Sequence, residues 1–249
     1  MHISIELVPR DIVRLQTELA GIRDKYANID TVNIPDLARL PMRSWEGTAA
    51  AKPYYKRAIP HLRAIDFDAE KPWPLLSYLA ENGIDEVLVV TGDPPTDMSR
   101  QSFDTTSIDL IRKLKRESPG LKVYAALDPY RGSMREEAGY AKRKLDAGAD
   151  GFFTQPFFDT RLMGVYAELL EGCEIYWGVS PVMTNASRSY WETKNNAVFP
   201  RSFAPTLEWN ANYAREALAF AAGAGGHVYL MPIKVDLDAY LSGIFGGMA

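Results

Sequence analysis

Apolar residues in this chain gather in short continuous runs, and polar, helix-patterned stretches separate them. Eight runs recur: "ISIELVP" from Ile3, "IDTVNIP" from Ile29, "RAIPHLRA" from Arg57, "EVLVVTGD" from Glu86, "KVYAALD" from Lys122, "GFFTQPF" from Gly151, "EIYWGVSPV" from Glu174 and "HVYLMPI" from His227. Most do not alternate strictly. Parallel strands buried on both faces read this way, because neither face has to meet water. Between them, Asp11 to Asp24 spaces Ile12, Leu15, Leu19 and Ile22 by three and four residues, and "TSIDLIRKLKRES" repeats the pattern until Pro119-Gly120 ends it. Ser133 with Glu136 three residues on forms a capping-box pattern ahead of "MREEAGYAKRKLDAGAD", and Asp159 can cap "TRLMGVYAELLEG". "LEWNANYAREALAFAAGAGG" and "DLDAYLSGIFGG" supply the last two helices. The second crossover, "DLARLPMRSWEGTAAAKPYYK", carries two prolines and a glycine and reads as a loop with short helical pieces.

Strand and helix alternating eight times over residues 1–249, with no linker, repeat or low-complexity stretch, predict a single α/β domain, a (β/α)8 TIM barrel. An open doubly wound sheet is the rival. The first strand lacks GxGxxG, and eight strands favour closure.

Bulk composition narrows the function classes. A 47% hydrophobic content suits a large core. The formal charge of −4, without a basic block, argues against nucleic-acid or acidic-membrane partners. No run of about 18 apolar residues predicts a membrane span. The N-terminal "MHISIELVPRD" lacks signal-peptide features, and Cys173 is the single cysteine, so a cytoplasmic protein is expected. Cys173 reads as a small core residue near a strand start. Three histidines without close spacing predict no metal centre.

In such barrels the reactive face lies at the C-terminal ends of the strands. Polar residues there are Glu6; Asn33 and Asp36; His61 and Arg63; Thr91-Gly92-Asp93; Asp128 and Tyr130; Thr154 and Gln155; Ser180, Thr184 and Asn185; and Lys234. Glu6 stands between Ile5 and Leu7. Burial disfavours a charged carboxylate, so Glu6 is expected to hold its proton and serve as a general acid. A structural ion pair with Arg63 or Lys144 is the plain alternative. Asp93 follows a glycine, which lets a ligand approach the backbone, and precedes two prolines that stiffen the loop; a turn-forming Asp would look the same. Aromatics near the strand ends, from Phe153 to Trp191, suit either core packing or a stacked heterocycle.

"SIELVPR", "PHLRA", "VVTGDPP", "KRKLDAGADGFFTQPFFD" and "GVSPVMTN" together resemble the methylenetetrahydrofolate reductase family. Its corresponding motifs read FEFFPP, PHLT, LRGDPP, LKRKVDAGADFIITQFFFD and GIMPI. The similarity runs over nearly the whole chain and is sharpest from Ala141 to Asp159. It implies a (β/α)8 barrel holding FAD, reduced by NAD(P)H or another donor, that passes hydride to 5,10-methylenetetrahydrofolate and gives 5-methyltetrahydrofolate, or runs in reverse. By the same resemblance Glu6 is the catalytic acid, Asp93 serves both flavin and pterin, Gln155 binds the folate, and Trp191 is an aromatic lid. Asn33, His61, Thr91, Gly92, Asp93, Ala126, Glu137 and Lys144 fall where the family lines its FAD, and Lys144 is also a candidate phosphate partner. Homo-oligomers are suggested by the family alone.

The departures gather on the flavin side. The family arginine before Gly-Asp is Thr91, Leu127 stands where an aromatic often contacts the flavin, and "VNIPDLARLPMRSWEG" replaces the usual VTYGAGG pattern. Glu6, Asp93 and Gln155 are kept. The expectation is therefore a methylenetetrahydrofolate reductase-like flavoenzyme that passes hydride through FAD, with its flavin or electron-donor arrangement altered. The alternatives are a flavin-independent or flavin-poor folate-binding barrel in one-carbon or demethylation metabolism, and a non-catalytic subunit that needs a partner.

Overall fold

The computed structural model describes residues 1–94 and 101–246; Pro95 of the "TGDPP" motif and Gly247 of "IFGG" lie outside the described residues. Eight strands close a barrel in chain order: β1 (Ile3–Glu6), β2 (Thr31–Ile34), β3 (Arg57–Arg63), β4 (Glu86–Val90), β5 (Lys122–Leu127), β6 (Gly151–Pro156), β7 (Ile175–Val179) and β8 (His227–Leu230). The β2–β3, β3–β4, β4–β5, β7–β8 and β8–β1 pairs are all parallel. The continuous apolar runs thus became doubly buried strands, and the (β/α)8 expectation holds. Helices alternate with them: α1 (Ile12–Lys25), α2 (Ser44–Ala51), α3 (Leu75–Glu81), α4 (Ser107–Glu117), α5 (Met134–Asp146), α6 (Thr160–Leu169), α7 (Asn185–Lys194), α8 (Leu207–Gly223) and α9 (Leu237–Phe245).

Local chemistry explains where the helices start. Asp159 accepts from the Arg161 amide at the head of α6, and Ser133 and Glu136 exchange the capping-box bonds ahead of α5. In α1, Leu15, Leu19 and Ile22 are buried as their spacing predicts, while Ile12 in the first turn stays exposed. The second crossover holds only the eight-residue α2, as its prolines and glycine suggest.

By packing, the described chain gathers into two compact units. One comprises Met1–Ile5, Leu127–Gly139 and Phe153–Ala249. Its core is aromatic: Phe153 stacks on Tyr176 at 4.1 Å, and Phe157 meets Tyr166 and Trp177 edge-on at 5.6 and 5.5 Å. The other comprises Glu6–Ala126 and Tyr140–Phe152 and is mainly aliphatic, with Val32, Ile59, Val87, Val89, Val123 and Leu110 fully buried.

Candidate functional site

At the end of β6, a single side chain breaks an otherwise buried run. From Gly151 to Phe158 every residue is buried except Gln155, which is exposed. Thr154 fixes its backbone: the Thr154 hydroxyl donates to the Gln155 carbonyl (2.9 Å) and accepts from the Gly178 amide (2.8 Å). Phe157 N then donates to the Gly178 carbonyl at 2.9 Å. A Cβ at position 178 would sit 2.4 Å from the Thr154 carbonyl oxygen, so only glycine lets β7 close against this turn. The outcome is a rigid strand end that offers one amide, able to donate and to accept. Trp191 lies on α7, a helix with no fully buried residue, and its half-buried ring packs edge-on against Phe158 at 5.5 Å.

In the other unit, Glu6 closes β1, half-buried between the buried Ile5 and Leu7. Leu7 N donates to the Asn33 carbonyl (3.0 Å), which ties this end to β2. Beyond β4, Thr91 and Asp93 are exposed and Gly92 has φ +84°, a conformation glycine adopts without strain. The Asp93 carbonyl accepts from the Arg63 guanidinium. Arg63 is buried and pairs at 3.5 Å with Asp66, which Arg43 meets at 2.9 Å while also holding Asp36 at 2.8 Å. Arg43 lies over the Trp45 ring at 4.2 Å. This chain of alternating charges braces the ends of β2, β3 and β4. Sequence reading named Arg63 and Asp36 as strand-end residues but not their partners Arg43 and Asp66.

The positions expected to line FAD can be tested for fit, because a side chain that holds a ligand must turn its polar atoms toward the ligand rather than toward protein partners. Four do not. Asn33 is 0% exposed, His61 8%, Glu137 2% and Lys144 3%. Each also has a partner within the protein. Asn33 Nδ2 meets His61 Nε2 at 3.2 Å, and with His61 Nε2 accepting, the ring is a neutral Nδ1–H tautomer. Burial pushes His61 down to about 4, against a smaller opposing pull from Asp36. Glu137 accepts from the Asp128 amide (3.1 Å) and from Arg131. Lys144 donates to the Ala126 carbonyl and lies 4.1 Å over the Tyr140 ring, so it is a buried lysine rather than a solvated helix lysine. Thr91 and Asp93 are exposed, and Gly92 and Ala126 are partly so. As placed, these residues do not present the cradle that the resemblance implies.

Among the described residues, no group of three or more His, Cys, Asp or Glu is arranged to hold a metal ion, and no helix is long and apolar enough to cross a membrane. Cys173 is half-buried, and burial pushes its thiol up, away from the reactive thiolate.

Comparison with known proteins takes in four of the five family-like motifs; "SIELVPR", which carries Glu6, lies outside the matched residues. The family model for methylenetetrahydrofolate reductase matches residues 49–220. The 5,10-methylenetetrahydrofolate reductase of Pectobacterium carotovorum is 28% identical over 153 residues, covering 57% of this chain and 50% of that protein. The Escherichia coli enzyme of the same name is 27% identical over 133 residues, 50% of this chain and 44% of that one. The chain thus spans about half the length of these bacterial relatives. Methylenetetrahydrofolate reductase (NADH) 1 of Zea mays is 26% identical over 144 residues, 49% of this chain and 24% of the plant protein. Among solved structures, a Clostridium thermocellum protein that binds two copies of 5-methyl-5,6,7,8-tetrahydrofolic acid superposes with TM-score 0.63 at 13% identity, over 98% of this chain and 94% of its own. A 2,3-dimethylmalate lyase superposes with TM-score 0.60 at 14% identity, covering 99% and 80%. At such identities these two likenesses show the fold alone.

Proposed function

Since the chain belongs to the methylenetetrahydrofolate reductase family, we propose that it binds a tetrahydrofolate derivative and interconverts 5,10-methylenetetrahydrofolate and 5-methyltetrahydrofolate. The observation that carries this reading is Gln155, the one exposed side chain in a buried strand, held by Thr154 and Gly178. A strand end needs no amide for packing, and an amide matches the mixed donor and acceptor edge of a pterin. The methyltetrahydrofolate bound by the Clostridium protein of like fold adds support.

In the reductive direction the bond between the bridging carbon and N10 breaks, leaving a cationic iminium at N5. Glu6 supplies the proton that N10 keeps. A hydride from a donor of the reduced-nicotinamide class then joins the bridging carbon to form the methyl group, and the donor is oxidised by two electrons. The exposed Asp93 carboxylate steadies the cation, because a fixed negative charge lowers the free energy of a developing positive one. Trp191 packs over the bound pterin.

The reading is tested by incubating the chain with 5,10-methylenetetrahydrofolate and, separately, 5-methyltetrahydrofolate, each with reduced and oxidised donors, and identifying products by mass. Interconversion in either direction is the expected result. No conversion with nicotinamide, flavin or dye donors would overturn it.

A further inference from the structure

We infer that this barrel retains its tetrahydrofolate site but not a stable FAD site, because Asn33, His61, Glu137 and Lys144, four of the eight flavin-lining positions, serve as internal struts. The folate half of this statement rests on the function proposed above; the flavin half stands on its own geometry.

An FAD diphosphate carries two negative charges and needs cations or N–H groups turned toward it. Lys144, the lysine at the corresponding position, is 3% exposed, and its ammonium is bonded to the Ala126 carbonyl. The Tyr140 ring beneath it is itself anchored, its hydroxyl 2.8 Å from Ser107 Oγ. Glu137 is closed in its own way. Its two carboxylate oxygens are taken by the Asp128 amide and by Arg131, which shapes the loop after β5.

The β4 turn tells the same story. Glycine there was expected to let a ligand come close to the backbone. Instead the Arg63 side chain fills that space: a Cβ on Gly92 would stand 3.0 Å from both Arg63 Cβ and Arg63 Nε. Arg63 occupies the place of threonine in the PHLT motif, and the arginine usual before Gly-Asp is Thr91 here. The cation has moved one strand over, from β4 to β3, and there it braces protein. A flavin held in the family manner would have to displace Arg63 from Gly92, free Lys144 from Ala126 and open the Asn33–His61 pair.

The test uses the full chain. Its visible spectrum is recorded as purified, then FAD is titrated while flavin fluorescence is followed, and 5-methyltetrahydrofolate is titrated by calorimetry in the same preparation. A colourless protein with no saturable FAD signal below about 1 mM is the expected result. A yellow protein carrying stoichiometric FAD, or micromolar binding of added FAD, overturns the inference. Absence of both FAD and folate binding leaves the flavin half standing and removes the tetrahydrofolate reading instead.

Discussion

The end of β6 and helix α5 were both expected to meet ligand, and they are built in opposite ways. At β6, hydrogen bonds are spent on the backbone: Thr154 and Gly178 hold the turn, and the Gln155 side chain is left to solvent. Around α5 the functional-looking side chains are themselves the hydrogen-bonding partners. Lys144 and Glu137 are buried and bonded to backbone groups of their own surroundings. Polar side chains expected to meet ligand can therefore be presented or used as struts, and the partners and burial of each side chain separate the two.

The largest effect that would sharpen this contrast is on turnover. Glu6→Gln is expected to lower folate turnover by about 100- to 10,000-fold, the range of a general acid, while 5-methyltetrahydrofolate still binds. Rate and affinity measured on the same variant would separate chemistry from binding; equal loss of both would count against the acid role.

Next comes His61. Its folded-state value of about 4 lies below the unfolded 6.5, so the unfolded chain binds more protons between those limits. Stability is then undiminished above about pH 6.5 and falls as the pH drops toward 4, by about 3 kcal/mol from this group. Denaturant melts from pH 7 to pH 4 on wild type and His61→Gln would show it, since the glutamine variant should lose that part of the slope. Matching slopes would mean that His61 is charged or accessible in the folded protein.

Lys144→Met should cost about 2 kcal/mol of stability, as expected when a charged hydrogen bond is removed from a buried site. Folate affinity should not change. A variant as stable as wild type would place Lys144 among ligand groups and break the contrast between the two regions.

Much of the architecture could be read from the residues alone. The eight apolar runs mark the strands, and short-range chemistry marks helix starts at Ser133 and Asp159 because a cap involves only neighbours three residues apart or fewer. Gln155 stood out because an amide is foreign to an apolar strand. What could not be read depends on contacts distant in sequence. Lys144 looks like any lysine near a helix end, and a long flexible stem can carry its ammonium either to water or inward to Ala126, 18 positions earlier. Arg63 pairs forward with Asp66 and with the Asp93 carbonyl, a choice set by the register of β3 on β4 rather than by local pattern. Helix α7 carried no apolar period because none of its residues is fully buried.

Recognition of the folate by the exposed amide on β6 is tested by calorimetric titration of 5-methyltetrahydrofolate into wild type and Gln155→Ala. Wild type should bind saturably and the variant about tenfold more weakly, the loss of roughly one hydrogen bond, with unchanged thermal unfolding. Equal affinities in the two proteins, or no binding by wild type, would contradict it.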